Sequence, residues 1–192
     1  MTEARAREDI VGMCGLLWQR GLVAGTSGNV SVRLDDGTIL VTPTMRSLRA
    51  LEPADLVRVD PDGTSLEPPK RPTSELPLHL AAYRARADAV CVVHTHPTYA
   101  TAWSRTGSLF PLDTVGATES LGPIAFTRYA RPGSVELADH CAAALGAGAD
   151  TIVMERHGLS AIAASLERAF EQTDIAEQTA HLEFCAFLLM RG

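Results

Sequence analysis

The sequence predicts an α/β fold: a central, mostly antiparallel sheet with helices on both of its faces. Helical and strand patterns intermix along the chain, hairpin signals stand near its start, and no glycine fingerprint for a dinucleotide follows any strand. With 192 residues, one domain spanning 1–192 is expected, large enough to bury its core without covalent staples. The net charge of −6 is spread along the chain, which points to a small-molecule partner and away from nucleic acid or a membrane surface. Cys14, Cys91, Cys141 and Cys185 lie far apart within apolar runs, the pattern of free thiols in a reducing compartment. The polar N-terminal segment does not read as a secretory leader, and no apolar run reaches bilayer length. A cytoplasmic protein is expected.

The first element is an amphipathic helix over Ala4 to Leu22. Ile10, Met13, Cys14 and Leu17 form its stripe and Gly21 stops it. Gly25-Thr26-Ser27-Gly28-Asn29 is a small-residue turn leading into a strand. Asp35-Asp36-Gly37 then turns the chain into a return strand, Thr38 to Thr42. A short helix past Leu48, a strand near Leu56 to Val59 and a turn at Asp60-Pro61-Asp62-Gly63 come next. Thr73 or Ser74 caps the following helix, with Pro77 in its first turn. Cys91 to His96 reads as a buried strand, and Pro97 to Ser104 as a short helix. Leu109 to Pro123 shows no clear period. Ser134 caps a helix ending at Gly146. Asp150 to His157 is an apolar strand, with Gly158 turning the chain sharply after it. Ser165 caps a long helix to about Met190, with Leu166, Ala169, Phe170, Thr173, Ala176, Ala180, Phe184, Phe187 and Leu188 at helical spacing.

Two chemical signals stand out in this order. His94 and His96 are two residues apart on a strand, so they share a face and are spaced to share an ion. The plainer reading keeps one in solvent and one hydrogen-bonded in the core. Neutral imidazoles suit zinc and related transition metals, and a catalytic zinc commonly takes three protein ligands. His157, at the end of another apolar strand, is placed to be the third if the two strands are neighbours. Glu75 stands at a helix N-terminus, where its simplest role is to complement the helix dipole. Lys70 is the only lysine and lies among prolines and an arginine. Imine chemistry needs a desolvated lysine, so carbonyl activation falls to a metal. The Gly25 to Asn29 turn has the amides and hydroxyls of an anion nest without the lysine of a Walker loop.

Taken together, Gly25-Thr26-Ser27-Gly28-Asn29-Val30-Ser31, Thr42-Pro43-Thr44, Thr73-Ser74-Glu75, His94-Thr95-His96 and His157-Gly158-Leu159 resemble the class II aldolase/adducin family in order and spacing. The resemblance implies the family's three-layer sandwich and a cyclic homotetramer with the active site at a subunit interface. It implies zinc, or another divalent transition metal, on His94, His96 and His157, with Glu75 as the acid/base. It assigns phosphate binding to Gly28, Asn29, Thr44, Met45, Thr73 and Ser74. The implied reaction is aldol-type cleavage of a ketose phosphate or similar hydroxy-carbonyl compound through a metal-stabilised enediolate. Decarboxylases, dehydratases and epimerases share that core. Met45 stands where the family has glycine, and no tyrosine stands at Asp113 to Val115, where the aldolases carry their proton donor; Asp113, Thr114 or Glu119 are the nearby substitutes. Two readings outside this chemistry are a JAMM-type metallohydrolase, suggested by His94-Thr95-His96-Pro97 and Ser104, and a non-catalytic adducin-like module.

Overall fold

The computed structural model describes residues 2–191. Helix α1 (Glu3–Gln19) is capped by the Thr2 side chain and buries Ala6, Ile10, Met13, Cys14 and Leu17. Strands β1 (Asn29–Arg33) and β2 (Ile39–Val41) form the early antiparallel hairpin, and β3 (Val57–Val59) joins its outer edge. Helix α2 (Leu76–Ala85), β4 (Cys91–Thr95) and α3 (Thr98–Ser104) follow. Next come β5 (Ile124–Thr127), α4 (Val135–Gly146), β6 (Thr151–Met154), β7 (Gly158–Ala163) and α5 (Leu166–Leu189). The seven strands lie in the order β3-β2-β1-β4-β7-β6-β5. Every pairing is antiparallel except β5 with β6, as the expected mostly antiparallel sheet requires.

Helices cover both faces, so the strands of the sheet's centre are buried on both sides. Side chains alternate along a strand, and β4 shows the consequence. Cys91 and Val93 join α1 and α5 in one apolar cluster, while Val92 joins α2 and α4 in another. The same alternation sends His94 toward α2 and α4. In β1 it sends Val30 and Val32 to the first cluster and leaves Asn29 and Ser31 on the α2 side. The polar residues of β1 therefore face a buried helix and not solvent, which is why the strand is buried along almost its whole length.

Several expectations are corrected by the coordinates. Helix α2 is capped by neither Thr73 nor Ser74: its N-cap is Glu75, whose side chain makes no capping bond, and the Thr73 hydroxyl instead accepts the Glu75 amide at 3.2 Å. The turn near His157 comes before Gly158, not after it. His157 closes a tight β6–β7 connection in which its amide donates to the Met154 carbonyl, and Gly158 begins β7. That strand, Gly-Leu-Ser-Ala-Ile-Ala, was not anticipated, and neither was β5. The stretch from Leu109 to Pro123, which shows no clear period in sequence, holds a short π-helical segment, Ala117–Leu121. At the end of α5, Phe184, Phe187 and Leu188 are exposed.

Gly158 is needed where it stands because β7 presses against β4. A Cβ there would lie 2.2 Å from the Thr95 carbonyl oxygen and 3.0 Å from the His96 ring. Gly158→Ala is expected to cost about 3 kcal/mol in urea unfolding by forcing these strands apart; a loss under about 0.5 kcal/mol, as at an ordinary surface position, would contradict this packing.

Candidate metal centre

The β4–β7 pairing sets His94 opposite Ser160 and Thr95 opposite Leu159. It thereby brings the end of β4 beside the β6–β7 turn. His94, His96 and His157 converge there, with ligand atoms all within 4.8 Å of one another. The three ring centroids stand 4.8 to 5.0 Å apart, edge to face. His94 Nδ1 lies 3.0 Å from the Leu159 carbonyl oxygen. A carbonyl only accepts, so Nδ1 carries the hydrogen and Nε2 keeps its lone pair. That Nε2 is 2.9 Å from His96 Nε2.

Burial pushes all three imidazoles below their usual range. The shift is strong for His94, where desolvation acts first and the two neighbouring rings add to it. Desolvation acts alone on His96, and it takes His157 down to about 4 with His96 contributing. Neutral rings at neutral pH leave ring-nitrogen lone pairs available to a cation. His157 Nδ1 is buried without a partner, a polar atom that the described residues leave unused. The donor set fits zinc or a similar divalent transition metal.

Glu75 enters the same cavity from the start of α2. Its Oε2 is buried with no hydrogen-bond partner. Desolvation raises its pKa to about 7, offset in part by the Gly133 backbone amide. Gly133 was not anticipated. It takes φ +72, and a Cβ on it would lie 2.7 Å from the Ser74 carbonyl oxygen, so only glycine allows the β5–α4 loop to approach Glu75 this closely. The Pro132-Gly133 pair before the Ser134 cap was the available signal.

All ten residues assigned to the metal, the acid/base and the phosphate line one cavity of about 270 Å³, together with Thr26, Ser27, Pro43 and Pro132. Gly28 has φ +81 and no room for a Cβ, which would meet Val23 at 2.5 Å. Met45 takes φ 58, the left-handed conformation that a glycine adopts without strain, and its side chain is 79% exposed. The peptide thus keeps the glycine-like shape while the bulk projects outward. The Thr44 amide is occupied by the Arg71 carbonyl, leaving the Thr44 side chain as its contribution to the cavity.

Other candidates lie elsewhere. Asp113, Thr114 and Glu119 do not line the cavity, and Asp113 and Glu119 are exposed. Lys70 pairs with Glu67 at 3.3 Å outside it. Ser104 donates to the Thr101 carbonyl and accepts the Arg156 amide, so its hydroxyl is spent inside the fold and not beside the histidines as a metallohydrolase would need.

Residues 8–184 match the family profile described as the class II aldolase and adducin N-terminal domain. The chain belongs to this family. It is 34% identical over 176 residues to an L-fuculose phosphate aldolase of Methanococcus maripaludis, covering 92% of this chain and 94% of the relative. It is 36% identical over 186 residues to a 3-oxo-tetronate 4-phosphate decarboxylase of Cupriavidus necator, covering 94% and 84%. The crystal structure of L-fuculose-1-phosphate aldolase from Thermus thermophilus superposes with a TM-score of 0.85 at 26% identity, covering 98% of this chain and 97% of that one. The relatives are named as enzymes, and the histidine cluster of this chain is able to bind a metal.

The raised pKa of Glu75 has a stability consequence whose sign is fixed. A carboxyl that holds its proton up to about pH 7 when folded, against about 4.5 when unfolded, loses stability as pH rises between those values and regains none above them. Glu75→Gln mimics the protonated form. In chelator-treated protein it is expected to raise the thermal midpoint relative to wild type at pH 8 and to change it much less at pH 5. Equal effects at both pH values would show that Glu75 is not held protonated by burial.

Proposed function

We propose that this chain is a zinc-dependent class II aldolase-type lyase that cleaves a carbon–carbon bond in a ketose phosphate or a similar phosphorylated hydroxy-carbonyl compound. The observation that carries the reading is the presence, in one cavity, of three neutral imidazoles, a buried carboxylate with an unused oxygen and a glycine-containing loop. His94, His96 and His157 would hold the cation, which would supply Lewis-acid polarisation of the substrate's carbonyl and hydroxyl oxygens. Glu75 holds a proton on Oε2 near neutral pH and passes it to, or takes it from, the carbon beside the carbonyl. Gly28, Asn29, Thr44, Met45, Thr73 and Ser74 bind the phosphate, with the N-terminus of α2 adding its positive end. No lysine takes part.

A second reading within the family is decarboxylation of a phosphorylated 3-oxo acid. Aldol cleavage needs a proton removed from a hydroxyl and another delivered to carbon, whereas loss of CO2 needs only the delivery. Among the described residues Glu75 is the only carboxylate lining the cavity, and it suffices for the second case. The 36% identity to a decarboxylase points the same way.

The retro-aldol reaction proposed here also needs a partner group, and a homotetramer with the site at a subunit interface would bring one. The exposed apolar end of α5, Leu182, Phe184, Phe187, Leu188, Leu189 and Met190, supports burial against other copies. No helix among the described residues is long and apolar enough to cross a membrane, and the proposed setting is the cytoplasm.

Assays of aldehyde release from ketose 1-phosphates and of CO2 release from phosphorylated 3-oxo acids separate the two readings. In whichever is active, His94→Ala and Glu75→Gln are each expected to lower turnover roughly a thousandfold while the tetramer persists in light scattering. Chelation should remove activity and zinc restore it. Full activity of either variant would overturn the assigned roles.

A further inference from the structure

Beneath the cavity four buried polar side chains form one hydrogen-bonded line. Tyr83 Oη lies 2.7 Å from Ser31 Oγ, Ser31 Oγ lies 2.7 Å from His79 Nδ1, and His79 Nε2 lies 2.5 Å from Asn29 Oδ1. His79 and Ser31 are fully buried, and Asn29 and Tyr83 nearly so. Asn29 ends the line at the cavity wall, beside Gly28.

The line has two self-consistent settings, because each hydroxyl and the neutral imidazole has one hydrogen to give. In the first, Tyr83 donates to Ser31, Ser31 donates to His79 Nδ1, and His79 Nε2–H donates to Asn29 Oδ1. In the second every hydrogen is reversed: the Asn29 amide nitrogen donates to His79 Nε2, and Tyr83 must donate outward to the Val90 carbonyl. That carbonyl is 3.5 Å from Tyr83 Oη and already accepts the Arg33 amide at 2.8 Å. The far end of the reversed line is therefore poorly made, and the first setting is favoured. Full burial also drives the His79 pKa down to about 3, which excludes a doubly protonated ring at neutral pH.

The difference between the settings is felt in the cavity. With Oδ1 held by His79, the Asn29 Nδ2 hydrogens face the site, and no acceptor for them is found among the described residues. In the reversed setting a carbonyl oxygen would face the site and repel an anion. We propose that His79 is a positioning residue: through the Tyr83–Ser31–His79 line it locks the Asn29 amide with its nitrogen toward the cavity, making that wall a donor for a phosphoryl group. This rests on reading the cavity as the phosphate-binding site, and it adds to that reading a residue which touches no substrate.

Long-range nitrogen–proton NMR on the zinc-loaded full chain reads the His79 tautomer directly. A hydrogen on Nε2 is expected, and a hydrogen on Nδ1 overturns the proposal. Inorganic phosphate titrated calorimetrically into the zinc-loaded protein supplies the second measurement. His79→Leu is expected to weaken phosphate binding roughly tenfold or more with zinc content unchanged, and His79→Gln, whose amide nitrogen donates from near the Nε2 position, to recover most of the loss. If Asn29→Ala leaves phosphate binding unchanged, the phosphate-site reading fails and the proposal with it. If Asn29→Ala weakens binding while His79→Leu matches wild type, the site stands and the positioning role is overturned. Should His79→Leu not fold, the tautomer of the wild-type ring decides alone.

Discussion

The antiparallel pairing of β4 with β7 is the constraint on which the rest of the molecule depends. Residues some sixty positions apart in sequence meet there in fixed register, His94 against Ser160 and Thr95 against Leu159. The Leu159 carbonyl sets the tautomer of His94, and the bare Cα of Gly158 lets the strands close beside His96. Side-chain alternation does the rest, since a slip of one residue would turn His94 to the α1/α5 face. In a strand buried on both sides such a slip would put the His94 imidazole into the apolar α1/α5 cluster and take it out of the cavity.

The two faces of the sheet carry different chemistry. On the α1/α5 side β1 and β4 contribute Val30, Val32, Cys91 and Val93 to one apolar cluster. On the α2/α4 side the same strands present Asn29, Ser31 and His94 to a helix that brings Glu75, His79 and Tyr83. Burial of polar groups is tolerated where hydrogen bonds satisfy them, as in the line from Tyr83 to Asn29. Among the buried side-chain atoms left without a partner, Glu75 Oε2 and His157 Nδ1 belong to residues that line the cavity. Unsatisfied polar atoms cost stability, and these two are what equip the cavity to bind a cation and move a proton.

How much was legible from residues alone follows from the range of the forces involved. Helix caps at Ser134 and Ser165, the stripe of α1 and the β1–β2 hairpin are local, and each appears as expected. The misplaced cap at Glu75 is a competition between neighbours: Thr73 spends its hydroxyl on the Glu75 amide and so lies two residues too early to cap. The missed strands β5 and β7 are short apolar runs whose strand character comes from their partners in the sheet. Gly133 escaped notice because its importance lies in the approach of a loop from a distant segment, and His79 because a lone histidine on an apolar helix face looks like core.

By itself the sequence determined the kinds of atoms available: three histidines in two strand-like contexts, a single lysine outside them, an acid at a helix start and glycines at turns. It also determined the mixed, mostly antiparallel architecture, because patterning with period two or 3.6 is written in neighbouring residues. Only the tertiary structure decided that those histidines share one cavity, that Glu75 keeps an oxygen unpaired beside them, that Met45 adopts a glycine-like backbone with its side chain in solvent, and that His79 faces Asn29. These are matters of distance between segments remote in the chain and of exclusion of water from the space they enclose, and neither quantity exists until the sheet has closed.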